Sequence, residues 1–227
     1  MVTKMKYQEI KEQICDICHR MWQQGWVAAN DGNITVRVGE NEVIATPTGI
    51  SKSFITPDML VLIDLDGNIL EAKEGYRPSS ETKMHLAVYH NRSDVRAVVH
   101  AHPAVSTAFA VCRQGVEEPY LAELIVGLGS VPCTPSFAML STDEVPNSIV
   151  PYLADHNAVL LANHGALTWG SDIWQAFDRM ETVEHTAKIL LNAHLLGNPV
   201  ALTEDESSRL AGLQCMYQKL REVRGVE

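Results

Sequence analysis

The 227-residue chain reads as an α/β protein whose mixed, largely antiparallel sheet is covered by helices. Two observations carry that expectation. Short alternating segments separated by glycine-containing turns fill the early part of the chain, which is the pattern of antiparallel hairpins. Helical periodicities then fall between short apolar strands, without the regular succession that a run of parallel βαβ units requires. No repeat of about 20 to 50 residues and no Gly/Ser-rich linker divides the sequence, so residues 1–227 are expected to form one domain.

Taken in order, Tyr7 to Gly25 places Ile10, Ile14, Ile17, Met21 and Trp22 at three- and four-residue intervals, an amphipathic helix stopped by Gly25. Ile34–Val38 and Glu42–Thr46 read as strands paired across Gly39-Glu40-Asn41. Leu60–Asp64 and Asn68–Ala72 read as a second pair around Asp66-Gly67. Ser79-Ser80 opens a helix to about His90, Val95–His102 is a strand, and Pro103–Cys112 is a helix. Ala158–Ala162 is a buried strand, and Ser171–Leu196 is a long helix ended by Gly197-Asn198-Pro199.

At 46% hydrophobic and 20% charged, the chain has the composition of a globular core. Eighteen basic against 28 acidic side chains give a formal charge of -10, which repels a phosphate backbone and argues against nucleic-acid partners. No apolar run approaches the roughly 18 to 20 residues of a membrane span, so no membrane association is expected. Met1–Ile14 lacks an apolar core of secretory length, which places the protein in the cytoplasm. Five irregularly spaced cysteines (Cys15, Cys18, Cys112, Cys133 and Cys215) fit free thiols better than a disulfide framework.

The first chemical signal is His100-Ala101-His102-Pro103. On a strand, residues i and i+2 project from one face about 6.6 to 6.8 Å apart, so two imidazoles can converge on one ion. A wet strand face would also accept this pair. His164, in Asn163-His164-Gly165 directly after a buried strand, adds a third imidazole. Three neutral imidazoles leave an open coordination position, as in catalytic rather than structural zinc. His19, His85, His90, His156, His185 and His194 read as surface or core residues.

Ser79-Ser80-Glu81 is either a helix cap or, by the same physics, a phosphate site with a carboxylate base beside it. Asp66-Gly67-Asn68 is a hairpin turn. Asp31-Gly32-Asn33 and Thr46-Pro47-Thr48-Gly49 are turns that also offer amides and a hydroxyl to an anion. Cys15-Asp16-Ile17-Cys18-His19 matches the haem-attachment string but continues a helical stripe in a chain without an export signal. Gly127-Leu128-Gly129 lacks the third glycine of a dinucleotide fingerprint.

Together, Gly32-Asn33, Thr48-Gly49, Ser79-Ser80-Glu81, His100-Ala101-His102 and Asn163-His164-Gly165 resemble the class II aldolase/adducin superfamily, in order and spacing, over nearly the whole chain. The pattern is most similar to that of L-fuculose-1-phosphate aldolases. The resemblance implies a single three-layer α/β/α sandwich with a central mixed, mainly antiparallel sheet. It implies a homotetramer whose active sites lie between neighbouring subunits. It assigns His100, His102 and His164 to one zinc, or another divalent ion, per subunit. Glu81 becomes an acid/base that also ligates the resting metal, and Gly32, Asn33, Thr48, Gly49, Ser79 and Ser80 become the phosphate site of a small phosphorylated sugar.

The implied reaction cleaves a ketose 1-phosphate between C3 and C4 into dihydroxyacetone phosphate and an aldehyde. A metal stabilises the enediolate, and no Schiff-base lysine is needed. Three positions qualify the substrate. Leu121, with Tyr120 adjacent, stands where the aldolases carry a tyrosine for the neighbouring site. Glu123 resembles the placement of the acid/base glutamate of methylthioribulose-1-phosphate dehydratases, and Tyr217 falls where the aldolases have a tyrosine near the aldehyde end. The alternatives are a sugar-phosphate epimerase, which has aspartate where this chain has Glu81, a dehydratase, a decarboxylase, and an adducin-like binding module without catalysis.

Overall fold

The computed structural model describes residues 2–223, with side chains for residues 7–213. Helix α1 (Val2–Gln23) leads into β1 (Asn33–Arg37) and β2 (Val43–Ala45). Then come β3 (Val61–Ile63), β4 (Ile69–Glu71) and α2 (Thr82–Asn91). Strand β5 (Ala97–Ala101) is followed by α3 (Ala104–Val111), α4 (Ala122–Gly127) and α5 (Glu144–Ile149). The chain continues through β6 (Ala158–Leu161), β7 (Gly165–Gly170), α6 (Ile173–Leu196) and α7 (Glu204–Val223).

Among the described residues seven strands form one sheet in the order β4-β3-β2-β1-β5-β7-β6. Every pairing of named strands is antiparallel, and the parallel component is confined to an isolated bridge between Cys133 and Leu160. The two early hairpins pair as the alternation predicts, with Val36 opposite Ile44 and Ile63 opposite Ile69.

Period-two alternation divides the strands between two cores. Val36, Ala97, Val99 and Ala101 pack with Ile14, Ile17 and Met21 of α1 and with Phe177, Met180 and Val183 of α6. Val43, Val98, Val159 and Leu167 pack on the opposite face with Met84, Val88 and Tyr89 of α2 and Val145 and Ile149 of α5. The result is three layers, helices on both faces of the sheet.

Four details differ from the sequence reading. Trp22 is 50% exposed, off the buried stripe of α1. Helix α2 starts at Thr82 rather than at the serines, with Glu81 at the N-cap and no side-chain cap bond. Strand β5 ends at Ala101, and the His102 N–H donates instead to the Trp26 carbonyl at 2.8 Å. Strand β7 was not anticipated. All six of its residues are buried, so Gly-Ala-Leu-Thr-Trp-Gly shows none of the alternation of a half-exposed strand.

Cys15 and Cys18 are buried in α1, and burial pushes the Cys15 thiol up to about 12. Their sulfurs are core atoms, not an attachment loop. Cys15, Cys18, Cys112 and Cys133 are free, while the side chains of Cys215 and Tyr217 lie outside those described. Among the described residues no helix is long and apolar enough to cross a membrane.

Candidate active site

The histidines meet at one end of the sheet because β5 lies beside β7, and β7 is reached from β6 by a tight turn. His100 is the penultimate residue of β5, paired with Leu167, and His102 directly follows the strand. His164 sits in the Ala162-Asn163-His164 turn, where Asn163 takes the left-handed φ of 56° that closes a three-residue hairpin loop. Gly165 makes the approach feasible. A Cβ there would overlap the His102 ring and stand 2.6 Å from the Ala101 carbonyl oxygen and 3.2 Å from His100 Cε1.

The three ring centroids are 4.8 to 5.0 Å apart, and one ligating atom from each ring lies within 4.8 Å of the others. His100 Nε2 and His102 Nε2 are 3.0 Å apart. Glu81 closes the cluster. Its Oε1 lies 3.0 Å from His164 Nε2, and its Oε2 lies 3.5 Å from His100 Nε2.

The donor set fits a divalent ion. Nitrogens bound tetrahedrally at 2.0 to 2.1 Å stand about 3.3 Å apart, close to the His100–His102 separation. Nδ1 of His100 donates to the Ala166 carbonyl at 2.9 Å, and Nδ1 of His102 faces Asp31 at 3.5 Å. These contacts fix the tautomers that turn Nε2 inward. Burial lowers the pKa of His100 and His102, favouring the neutral form that a ligand must have. Oε1 of Glu81 is buried against His164 Nε2 at 3.0 Å and meets no other described hydrogen-bond partner, an arrangement that a shared cation satisfies. Burial alone would push the Glu81 carboxyl up. The facing imidazoles of His100 and His164 and the Asn33 amide outweigh that and hold it below the ordinary carboxylate range.

The remaining sequence candidates gather beside this cluster. The Thr48 N–H donates to Arg77 O at 2.9 Å and the Ser79 N–H to Thr46 O at 3.2 Å, which lays Thr48-Gly49 against Ser79-Ser80. Thr46 Oγ1 accepts from the Ile34 N–H at 3.1 Å and ties both to the start of β1, where Gly32 and Asn33 stand. Gly32 has a φ of 69°, and a Cβ there would meet Val27 and the His100 carbonyl. Thr48, Gly49 and Ser80 are exposed. Asn33 differs from its simplest reading, because Nδ2 donates to Glu81 Oε2 at 2.8 Å and so orients the carboxylate.

Other sequence candidates lie elsewhere. Leu121 and Glu123 line a cavity of about 690 Å³ with Trp26 and α6 residues rather than joining the histidine cluster, and Tyr120 packs on the α1-side core. His85, His90, His19 and His194 each hydrogen-bond within the fold, to Thr35, Leu65 O, Ile55 O and Leu190 O.

Sequence reasoning missed three supporting residues. Asp31 was visible only as a neighbour of Gly32. Glu184, 2% exposed on α6, accepts the Ser106 N–H at 2.9 Å and the Val105 N–H at 3.3 Å. It thereby caps α3 directly after the His102-Pro103 corner, a contact across 78 residues that no local signal announces. Lys52, buried beside the glycine loops, was the third.

The sequence profile of the family described as Class II Aldolase and Adducin N-terminal domain matches residues 12–191. The chain is 32% identical to the 5-deoxy-D-ribulose 1-phosphate aldolase of Bacillus thuringiensis serovar kurstaki, over 91% of this chain and 96% of that protein. It is 31% identical to the 3-oxo-tetronate 4-phosphate decarboxylase of Escherichia coli K12, over 81% of this chain and 86% of the relative. Among solved structures, an L-fuculose 1-phosphate aldolase matches with a TM-score of 0.83 at 30% identity, covering 90% of this chain and 95% of that one.

Proposed function

The chain belongs to the class II aldolase and adducin N-terminal domain family, and from that premise we propose that it is a zinc-dependent aldolase. Its reaction is reversible cleavage of a ketose 1-phosphate, L-fuculose 1-phosphate or a related deoxypentulose phosphate, to dihydroxyacetone phosphate and a small aldehyde. The observation that carries this reading is a single cluster of His100, His102 and His164 facing Glu81, with the glycine, threonine and serine segments beside it.

His100, His102 and His164 would hold the ion, with Glu81 as a further ligand in the resting state. When bound, the ion supplies Lewis-acid stabilisation of the enediolate left as C3–C4 breaks. Gly32, Asn33, Thr48, Gly49, Ser79 and Ser80 position the phosphate so that C3 meets Glu81. In synthesis, ionised Glu81 removes a proton from C3. In cleavage protonated Glu81 gives a proton to the same carbon while the C4 hydroxyl releases its proton to water as the aldehyde forms, and Glu81 regains one from water, so protons balance. Asn33 keeps the carboxylate aimed through both directions.

A second reading is favoured by the decarboxylase relative. Loss of carbon dioxide from 3-oxo-tetronate 4-phosphate leaves the same enediolate of dihydroxyacetone phosphate, protonated at the same place. The two readings therefore differ only at the departing end. Incubating the zinc-loaded protein with L-fuculose 1-phosphate, 5-deoxyribulose 1-phosphate, L-ribulose 5-phosphate and 3-oxo-tetronate 4-phosphate separates them. Aldehyde with dihydroxyacetone phosphate from either ketose 1-phosphate is the expected result. Turnover of the oxo-acid alone, with carbon dioxide released, replaces the aldolase reading by the second one. Epimerisation of the pentulose 5-phosphate alone removes both.

The same reading takes residues 1–227 as one domain, assembled as a cytoplasmic homotetramer with sites between subunits. Phe137, Met139 and Leu140, each more than 40% exposed, support a neighbouring subunit here. They lie on the stretch whose Thr134 and Ala138 line a small cavity with His164.

A further inference from the structure

Among the described residues, Lys52 is the only lysine that is fully buried, at 1% exposure. The ion-paired lysines there are Lys73, Lys83 and Lys188, so no described carboxylate pairs directly with Lys52. Its ammonium donates instead to two backbone carbonyls, Ile50 O at 3.1 Å and Asn30 O at 3.4 Å. Those carbonyls belong to different segments. Asn30 precedes Gly32-Asn33 and Ile50 follows Thr48-Gly49, so one side chain joins two parts of the proposed phosphate site.

Two facts make a simple staple an incomplete account. A neutral donor would bridge the carbonyls without carrying a charge into the interior, where an ammonium without a counter-charge is costly. Burial accordingly lowers the Lys52 pKa, against the opposing pull of Asp31 and Glu81, the two carboxylates at the histidine cluster. The protein as a whole is at -10, so no long-range field draws an anion in. The rest of the proposed phosphate site is amides and hydroxyls.

We propose that Lys52 is a positioning residue for the substrate's phosphate, clamping the Asn30 and Ile50 loops together and supplying the buried positive charge that the phosphate dianion compensates. This rests on the reading of the site as one for phosphorylated ketoses. It adds a cation to a site otherwise built from neutral groups.

The test is calorimetric titration of the zinc-loaded full chain with inorganic phosphate, comparing wild type, Lys52→Met and Lys52→Gln. Zinc content and steady-state kinetics are measured on the same samples. Both variants should keep zinc and bind phosphate about 10-fold or more weakly, as expected when a buried positive charge close to the anion is removed. KM for the phosphorylated ketose should rise by a similar factor, with kcat changed less. Lys52→Gln preserves a neutral donor to the carbonyls. If it binds phosphate within about twofold of wild type, the charge has no role and the proposal falls.

Hydrogen exchange on the wild type requires no variant to fold. Phosphate should slow amides in residues 30–33 and 48–52 together, and unchanged exchange overturns the proposal. Lys52-dependent phosphate binding without cleavage of any ketose phosphate would leave the inference standing and remove the aldolase reading. Cleavage with phosphate binding indifferent to Lys52 would do the reverse.

Discussion

Gly165→Ala probes whether the close approach of β7 to β5 builds the proposed metal site. The added methyl would stand 2.6 Å from Ala101 O, where carbon–oxygen contacts between strands normally begin at about 3.3 Å. The strands must therefore separate by about 0.7 Å, or the His102 ring must swing away. Metal–ligand distances tolerate only about 0.2 Å. Relief by strand movement displaces His100 and His102 relative to His164, so zinc affinity should drop about 10- to 100-fold, comparable to loss of an orienting contact. Overpacking should also cost about 1 to 3 kcal/mol, a fall in Tm of about 2 to 12 °C for a chain of this size.

Competition with a chelating dye measures the first effect and metal-free thermal unfolding the second. Gly127→Ala, where a Cβ meets nothing within 4 Å, is the control. Zinc affinity in Gly165→Ala within about twofold of wild type, with an unchanged Tm, would refute the claim that this glycine admits the histidines.

Further tests address other parts of the assembly. Glu81→Gln should retain zinc while turnover falls about 10²- to 10⁴-fold, the range for a removed acid/base group; metal analysis with single-turnover rates checks both. Glu184→Ala leaves two N–H groups at the start of α3 without their acceptor and should cost about 2 kcal/mol, or about 4 to 8 °C in Tm. His85 is fully buried, and burial lowers its pKa from 6.5 to about 3. In that window the unfolded chain binds a proton that the folded chain does not. Stability from this group is thus present above pH 6.5 and lost as pH falls toward 3, by at most about 1.4 kcal/mol per unit. Urea unfolding of His85→Gln between pH 4 and 7 should show a correspondingly shallower acid slope.

Much of the site was legible because its chemistry is written in short strings. Strand alternation was enough to group His100 with His102, although β5 stops at Ala101 and His102 directly follows it, and Gly32 was visible as part of a turn offering amides to an anion. The two early hairpins could be read from alternation and turn residues, and α1 and α6 from their 3.6-residue stripes. Strand β7 was hidden because burial on both faces erases alternation. The short helices α4 and α5, six residues each, give too few turns for a periodicity to stand out. The resemblance supplied the grouping of segments that local patterns do not.

Residue order by itself settled which backbone stretches could be helix or strand and which side chains could bind a metal or an anion, since these follow from neighbours a few positions away. Three-dimensional packing decided the rest. It set β5 between β1 and β7, brought His164 to His100 and His102, gave Glu184 to the start of α3, and buried Lys52 between two loops. Those outcomes depend on contacts between residues distant in the chain, where burial and charge are properties of the assembled interior and of no single segment.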